Sequence, residues 1–382
     1  INLLRSPNDD VREQCAWCLG NIAGDGPEFR DGILQLGVID SLLMNIKQPA
    51  NDSLLGNVTW TLSNLCRGKP QPNLALVEPA IPALIYLACN SPVDDITADA
   101  LWALSYIADG NDERIDAILR ADTEGALMKT VVKYVNTTNA QLISPSLRIL
   151  GNFVSGTEKQ TQAVIDAGAL GAAMTTLGCA KKSLRKEMCW LLSNIAAGTQ
   201  DQITSLIKTT GVAERLVSLS LDAEWETRKE SIWAVSNIFT GGNDGHVAFL
   251  VNQGGIAAMA SVLEIPGETR MALVALEAID NILTVSERQG YSYPLLFDEC
   301  GGLDKLEELQ SHSDTKVYEK AIEMIDRFFG EDEAEDENLA PECNGDSFAF
   351  GMSSPPPAKN LFDTPENPVY SFGSANNFNF GG

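Results

Sequence analysis

Tryptophan recurs along this chain at Trp17, Trp60, Trp102, Trp190 and Trp233, near multiples of one step of roughly 42–46 residues, a period that belongs to helical repeat arrays. In four of the five the residue four positions on is asparagine: Asn21, Asn64, Asn194 and Asn237. The segments align as WCLGN from Trp17, WTLSN from Trp60, WALSY from Trp102, RILGN from Arg148, WLLSN from Trp190, WAVSN from Trp233 and EAIDN from Glu277. The step is too long for tetratricopeptide, ankyrin or leucine-rich units. It predicts an all-α chain, an α-solenoid with seven visible units and an eighth over 315–329.

Each unit has the same internal order. The Trp/Asn segment runs towards a glycine, as in Asn21 to Gly26 and Asn194 to Gly198, where a residue without Cβ can take a left-handed helix cap. A short helix such as the one ending at Gly168 leads into an apolar helix, ALGAAMTTLG, and similar breaks stand at Gly37, Gly125, Gly211, Gly254 and Gly301. Three helices per unit follow. Apolar residues three and four apart, as in 273–281 and 321–328, fit amphipathic helices. No unit can bury its apolar face alone, so the units must stack.

The predicted division is a repeat body over 1–329 and a tail over 330–382. The tail is acidic first and then rich in Gly, Ser, Pro and Asn, with too little apolar material to offset the entropy of ordering, and it is expected to be disordered. It carries Phe-Gly dipeptides at Phe350, Phe372 and Phe380. At the other end a ladder pair already lies within 11–22, with no polar terminal repeat before it, so the expectation is a fragment whose first repeats are missing.

Charge indicates the sign of the partner. Lys and Arg total 27 against 52 Asp and Glu, a formal net charge of −25, and the repeats alone are near −16. Such a body repels nucleic acid and anionic membrane and speeds encounter with basic ligands. No apolar run of about 18 residues suggests a spanning helix. The eight cysteines show no paired framework, which reads as a reducing compartment, and the lone Cys15/Cys18 pair lacks the further ligands of a zinc site. No cofactor is expected. His246, read as a loop residue, and His312, near a helix end, give no catalytic constellation, so an enzyme is not expected.

Trp and Asn at i and i+4 share one helix face, which a solenoid repeats along its concave side. An asparagine amide can hold the N–H and C=O of an extended peptide, and an indole can hold the stem and ammonium of a lysine. Acids stand three residues before three of the rings: Asp99 before Trp102, Glu187 before Trp190 and Glu230 before Trp233. Asp25 and Asp109 follow at helix ends. The competing reading is that the rings pack between helices and the asparagines cap them; Trp225, off the ladder, keeps that structural reading.

The motifs GNIAGDG at Gly20 to Gly26, WTLSNLCRGK from Trp60, ADALWALSYIADG from Ala98, KEMCWLLSNIAAG from Lys186, RKESIWAVSN from Arg228 and GLDKLEELQSH from Gly302 together resemble importin α, the armadillo-repeat adaptor family of nuclear import. The resemblance covers essentially 1–329 and implies a right-handed armadillo solenoid. It implies binding of basic nuclear localisation signals as extended peptides antiparallel to the solenoid. The major groove would use Trp17, Asn21, Asp25, Trp60, Asn64, Arg67, Asp99, Trp102, Tyr106 and Asp109. The minor groove would use Arg148, Asn152, Glu158, Thr161, Glu187, Trp190, Asn194, Glu230, Trp233 and Asn237. It further implies recruitment of importin β through a segment missing here, recycling through 302–329 by a CAS-type exportin with Ran-GTP, and shuttling between cytoplasm and nucleus. Contact of the Phe-Gly tail with nucleoporins is left open, with weak or no binding favoured. Tyr106 stands in an asparagine position, Arg148 and Glu277 in tryptophan positions, and Glu158 where many relatives carry aspartate. A β-catenin-like scaffold is the rival reading, but its groove is usually basic, whereas this one is acidic.

Overall fold

Every Trp/Asn segment lies inside one long helix of its repeat. Seven such ladder helices span Asp9–Asp25, Asp52–Cys66, Asp94–Ala108, Ala140–Val154, Lys182–Ala196, Trp225–Gly241 and Thr269–Gln289, and Thr315–Phe328 follows as an eighth. Two shorter helices follow each of the seven, as Glu158–Asp166 and Ala169–Leu177 follow Ala140–Val154. Consecutive ladder helices pack on one another from the first to the eighth, and the units stack into a right-handed all-α solenoid.

The structure is a computed structural model that describes residues 1–330 and the backbone of 342–344 and 347–349. The chain divides into two units, Ile1–Phe329 and Gly330–Gly382. In the second, Glu342–Asn344 pairs antiparallel with Ser347–Ala349, with Cys343 opposite Phe348, a short strand pair where the sequence suggests no order. The Phe-Gly dipeptides lie outside the described residues.

The core of the first unit runs through all the repeats. Leu62, Leu104, Leu147, Leu191, Ile238 and Leu283 are fully buried along successive ladder helices. Each contributes roughly 1.5–3 kcal/mol by leaving water. Because each side chain packs partly on the next repeat, the units stabilise one another rather than folding singly.

Glycine marks two different joints. Gly37, Gly125, Gly168, Gly211, Gly254 and Gly301 are left-handed, with φ between 63° and 91°, and each starts the third helix of its unit. Of the glycines after the ladder helices, Gly290 is left-handed at φ 72°, but Gly26 is extended at φ 168° and Gly198 lies outside the left-handed region. Their smallness has a steric cause in the later repeats. A Cβ on Gly156 would meet Gln160 Oε1 at 1.9 Å, and one on Gly198 would meet Gln202 Oε1 at 2.1 Å. Those glutamines fold back in capping boxes with Thr157 and Thr199.

The same capping side chains join the repeats. Gln160 Nε2 donates to the Asp112 carbonyl at 3.0 Å and Gln202 Nε2 to the Glu158 carbonyl at 2.9 Å. His246 takes the equivalent place within the Asp244–Asn252 helix rather than in a loop. Its Nδ1 accepts from the Asn243 N–H, and its Nε2 lies 2.9 Å from Thr204 Oγ1. Arg30, 1% exposed, does this work in the first unit by donating to the carbonyls of Arg67 and Pro70, each at 2.8 Å. These side chains thereby satisfy buried polar groups across the boundaries they span.

Candidate functional site: the tryptophan and asparagine ladder

The ladder rings are set by their neighbours in the preceding repeat. A Cβ on Gly20 would lie 2.4 Å from Trp60 Cζ3, and a Cβ on Gly151 would lie 2.0 Å from Trp190 Cζ3. Each glycine directly precedes a ladder asparagine, so these indoles rest on the backbone of the helix before them. Trp17 is 52% exposed, while Trp60, Trp102, Trp190 and Trp233 are partly buried.

The asparagines bridge repeats. Asn64 Nδ2 donates to the Gly20 carbonyl at 3.1 Å, Asn152 to Ser105 at 2.9 Å and Asn237 to Ser193 at 2.9 Å. Asn281 donates likewise to the Phe239 carbonyl, and Asn194 reaches Ser155 Oγ at 3.3 Å. Asn21 differs, turning back to the Trp17 carbonyl of its own helix at 3.0 Å. One amide hydrogen is therefore engaged on the protein, and the bond fixes the plane of the amide that carries Oδ1 and the second hydrogen. Sequence pattern suggests the amides as ligand groups or as helix caps; their bridging role depends on a carbonyl some 44 residues away.

Asp99, Glu187 and Glu230 are all half-buried, one turn before their rings. Burial raises the Asp99 carboxyl to about 6, with repulsion from Asp95 adding to it. Burial also holds Glu187 up, against the lowering effect of Arg148, and holds Glu230 up, against Lys186. These carboxylates have lost water without fully gaining partners, so a cation brought beside them recovers part of the cost.

Several positions are occupied by the protein itself. Tyr106 stacks on Trp102 with ring centroids 5.8 Å apart and 23° between planes. Arg148 Nη2 lies 2.7 Å from Glu187 Oε1, with the guanidinium 5.6 Å from the Trp190 ring centroid. Glu187 Oε1 is nevertheless buried without an aligned hydrogen bond, so the contact is chiefly one of charge. Asp109 pairs with Lys69 at 3.2 Å, an exposed contact of small energetic weight. Arg67 caps the Asp52–Cys66 helix and Asp25 is the exposed last residue of Asp9–Asp25. Arg270, a residue the repeat pattern does not single out, places its guanidinium 5.1 Å from the Trp233 centroid.

Glu158, Thr161 and Asn194 converge. With Val154, Ser155 and Gln202 they line a cavity of about 320 Å³ at the C-terminal end of the Ala140–Val154 helix. Thr161 Oγ1 donates to the Val154 carbonyl at 3.4 Å. The Glu158 carboxylate supplies negative charge beside the C-terminal end of the Ala140–Val154 helix, while the Glu158–Asp166 and Gln200–Lys208 helices begin at the same cavity. A larger apolar cavity of about 690 Å³, lined by Leu43, Leu55, Pro82 and Tyr86 among others, includes none of the ladder residues.

Among the described residues no group of three His, Cys, Asp or Glu could hold a metal, and no helix is long and apolar enough to cross a membrane. Cys15 and Cys18 are free thiols, and burial pushes the Cys66 and Cys189 thiols up to about 12, where they stay protonated. Trp225 is partly buried against the core.

Comparison with known proteins agrees with this architecture. The armadillo/β-catenin-like repeat family matches residues 1–24, 69–109 and 157–197, and an atypical armadillo repeat matches 292–342. Importin subunit alpha-1b of Oryza sativa subsp. japonica is 40% identical over 363 residues, which is 93% of this chain and 66% of that protein. Importin subunit alpha-1a of the same rice is 38% identical, over 92% of this chain and 68% of the relative. The chain thus spans about two thirds of the length of these relatives. A designed armadillo repeat protein solved in complex with the peptide (KR)4 superposes with a TM-score of 0.57 at 31% identity, over 65% of this chain and 99% of its own. Repeat period, ladder geometry and relatives converge on one assignment: the chain belongs to the importin α family.

Proposed function

We propose that this protein is a receptor for basic nuclear localisation signal peptides, bound extended along the ladder face. The observation that carries the reading is the pocket in which Glu158, Thr161 and Asn194 meet at a helix C-terminus. Its size and polarity suit the ammonium of a lysine whose stem lies along a neighbouring indole. The half-buried Asp99, Glu187 and Glu230 add acids at the third, fifth and sixth rungs. The rice relatives are named importin subunits, and the designed armadillo protein was solved with an alternating Lys/Arg peptide, which favours the same ligand class.

In this reading Trp17, Asn21, Asp25, Trp60, Asn64 and Trp102 form a first groove, and Arg148 through Asn237 a second. The whole adaptor would deliver cargo to importin β through a basic segment outside these residues, and be recycled by a CAS-type exportin with Ran-GTP at 302–329, moving between cytoplasm and nucleus.

The test is titration with a fluorescent two-cluster Lys/Arg peptide at low and physiological salt, beside the same peptide with its lysines changed to alanine. Saturable binding that weakens with salt and requires the lysines is expected. Absence of lysine-dependent binding would remove the reading.

A further inference from the structure

The two cation contacts on the later rungs lie on opposite sides of one interval. Arg148 approaches Trp190 from the Ala140–Val154 helix, the side on which that ring rests on Gly151. Arg270 approaches Trp233 from the Thr269–Gln289 helix, the side facing the next repeat. Between the rings, the Lys182–Ala196 and Trp225–Gly241 helices pack directly against each other. The next rung has no ring, because Glu277 stands there.

The arginines differ in how their charges are met. Arg148 is paired with Glu187 at 2.7 Å. Arg270 is exposed and has no carboxylate within 4.0 Å among the described residues, so its positive charge faces the groove unneutralised. An arginine so placed uses the ring face a ligand cation would use and repels any cation approaching that end.

Resting on the proposed peptide-binding role, we propose that Arg270 is a specificity-determining residue: it closes the ladder at Trp233 and sets how many basic residues of a peptide the later groove accepts. Extended peptide advances about 3.3 Å per residue and neighbouring helices lie roughly 8–10 Å apart, so one rung corresponds to about two to three residues. A basic run that continues past Trp233 meets Arg270 instead of a free indole face. The arginine is held by the ring rather than by burial, so its removal exposes that face without opening the core.

The experiment compares (KR)3 and (KR)5 peptides on the wild-type chain, Arg270→Gln and Lys133→Gln. Lys133 is an exposed residue of the Ala126–Val135 helix, so its substitution changes net charge equally at a site off the ladder helices. The wild type is expected to gain little from the longer peptide, whereas Arg270→Gln gains roughly three- to tenfold for (KR)5 and much less for (KR)3. Lys133→Gln should follow the wild type. Combining Arg270→Gln with Trp233→Ala should erase the gain, since the effect acts through the ring.

Equal behaviour of the two single variants, or a gain that survives loss of Trp233, overturns the assignment while leaving the receptor reading intact. If the wild type binds neither peptide, the receptor reading fails first, and this inference falls with it.

Discussion

Trp190 lies on Gly151 so closely that a Cβ at that glycine would stand 2.0 Å from Cζ3 of the indole. The ring is held against the preceding helix, with the Arg148 guanidinium 5.6 Å from its centroid. Gly151→Ala must therefore lift the ring or move the helix. The expected outcome is a loss of about 1–3 kcal/mol in urea unfolding, together with weaker peptide binding at the later groove. An unchanged unfolding midpoint would show that the contact is not a constraint.

The asparagines should separate by their partners. Asn152→Ala removes the bond to the Ser105 carbonyl and is expected to cost about 1 kcal/mol of stability. Asn21→Ala breaks only an exposed bond within its own helix and should leave stability within about 0.5 kcal/mol of wild type. Both should weaken peptide binding. Equal unfolding curves for the two variants would contradict the bridging role.

Asp99 predicts a pH dependence. Its carboxyl is raised from 3.8 to about 6 by burial and by Asp95, so its contribution to folded-state stability is full below the unfolded value and is lost as pH rises through about 6. A bound cation favours the charged form and draws the group back down. Binding at the third rung should consequently release protons near pH 6 and weaken as pH falls through that value, an effect absent in Asp99→Asn. Calorimetric titration in buffers of different ionisation heat checks it; no proton release near pH 6 would sink the prediction.

Charge reversal should distinguish the two grooves. Asp25→Lys is expected to weaken a one-cluster basic peptide by tenfold or so, while Glu230→Lys should chiefly weaken a two-cluster peptide whose second cluster sits beside Trp233. Fluorescence anisotropy with both peptides measures this. Equal and negligible effects would return both residues to a purely structural role.

Much of the fold is legible without coordinates. Trp at i and Asn at i+4 define one helix face, and the repeat of that face at a near-constant step requires a solenoid, because no unit buries its apolar side alone. The glycines at Gly168 and Gly211 mark true joints because a left-handed backbone is a local demand on the residue itself. Gly198 has a different reason for being small, since it makes room for the Gln202 side chain, and a one-dimensional pattern does not distinguish these causes.

The sequence by itself determined the repeat architecture, the acidic sign of the surface and the rows of Trp, Asn and carboxylate. Those follow from helical periodicity and composition, which act over a few residues or add over the whole chain. Tertiary structure alone decided that Asn237 spends an amide hydrogen on Ser193, that Glu158 meets Asn194 around one cavity, and that Arg270 covers Trp233. Each joins groups about one repeat apart, and their meeting depends on the stacking geometry between helices, which no local spacing specifies.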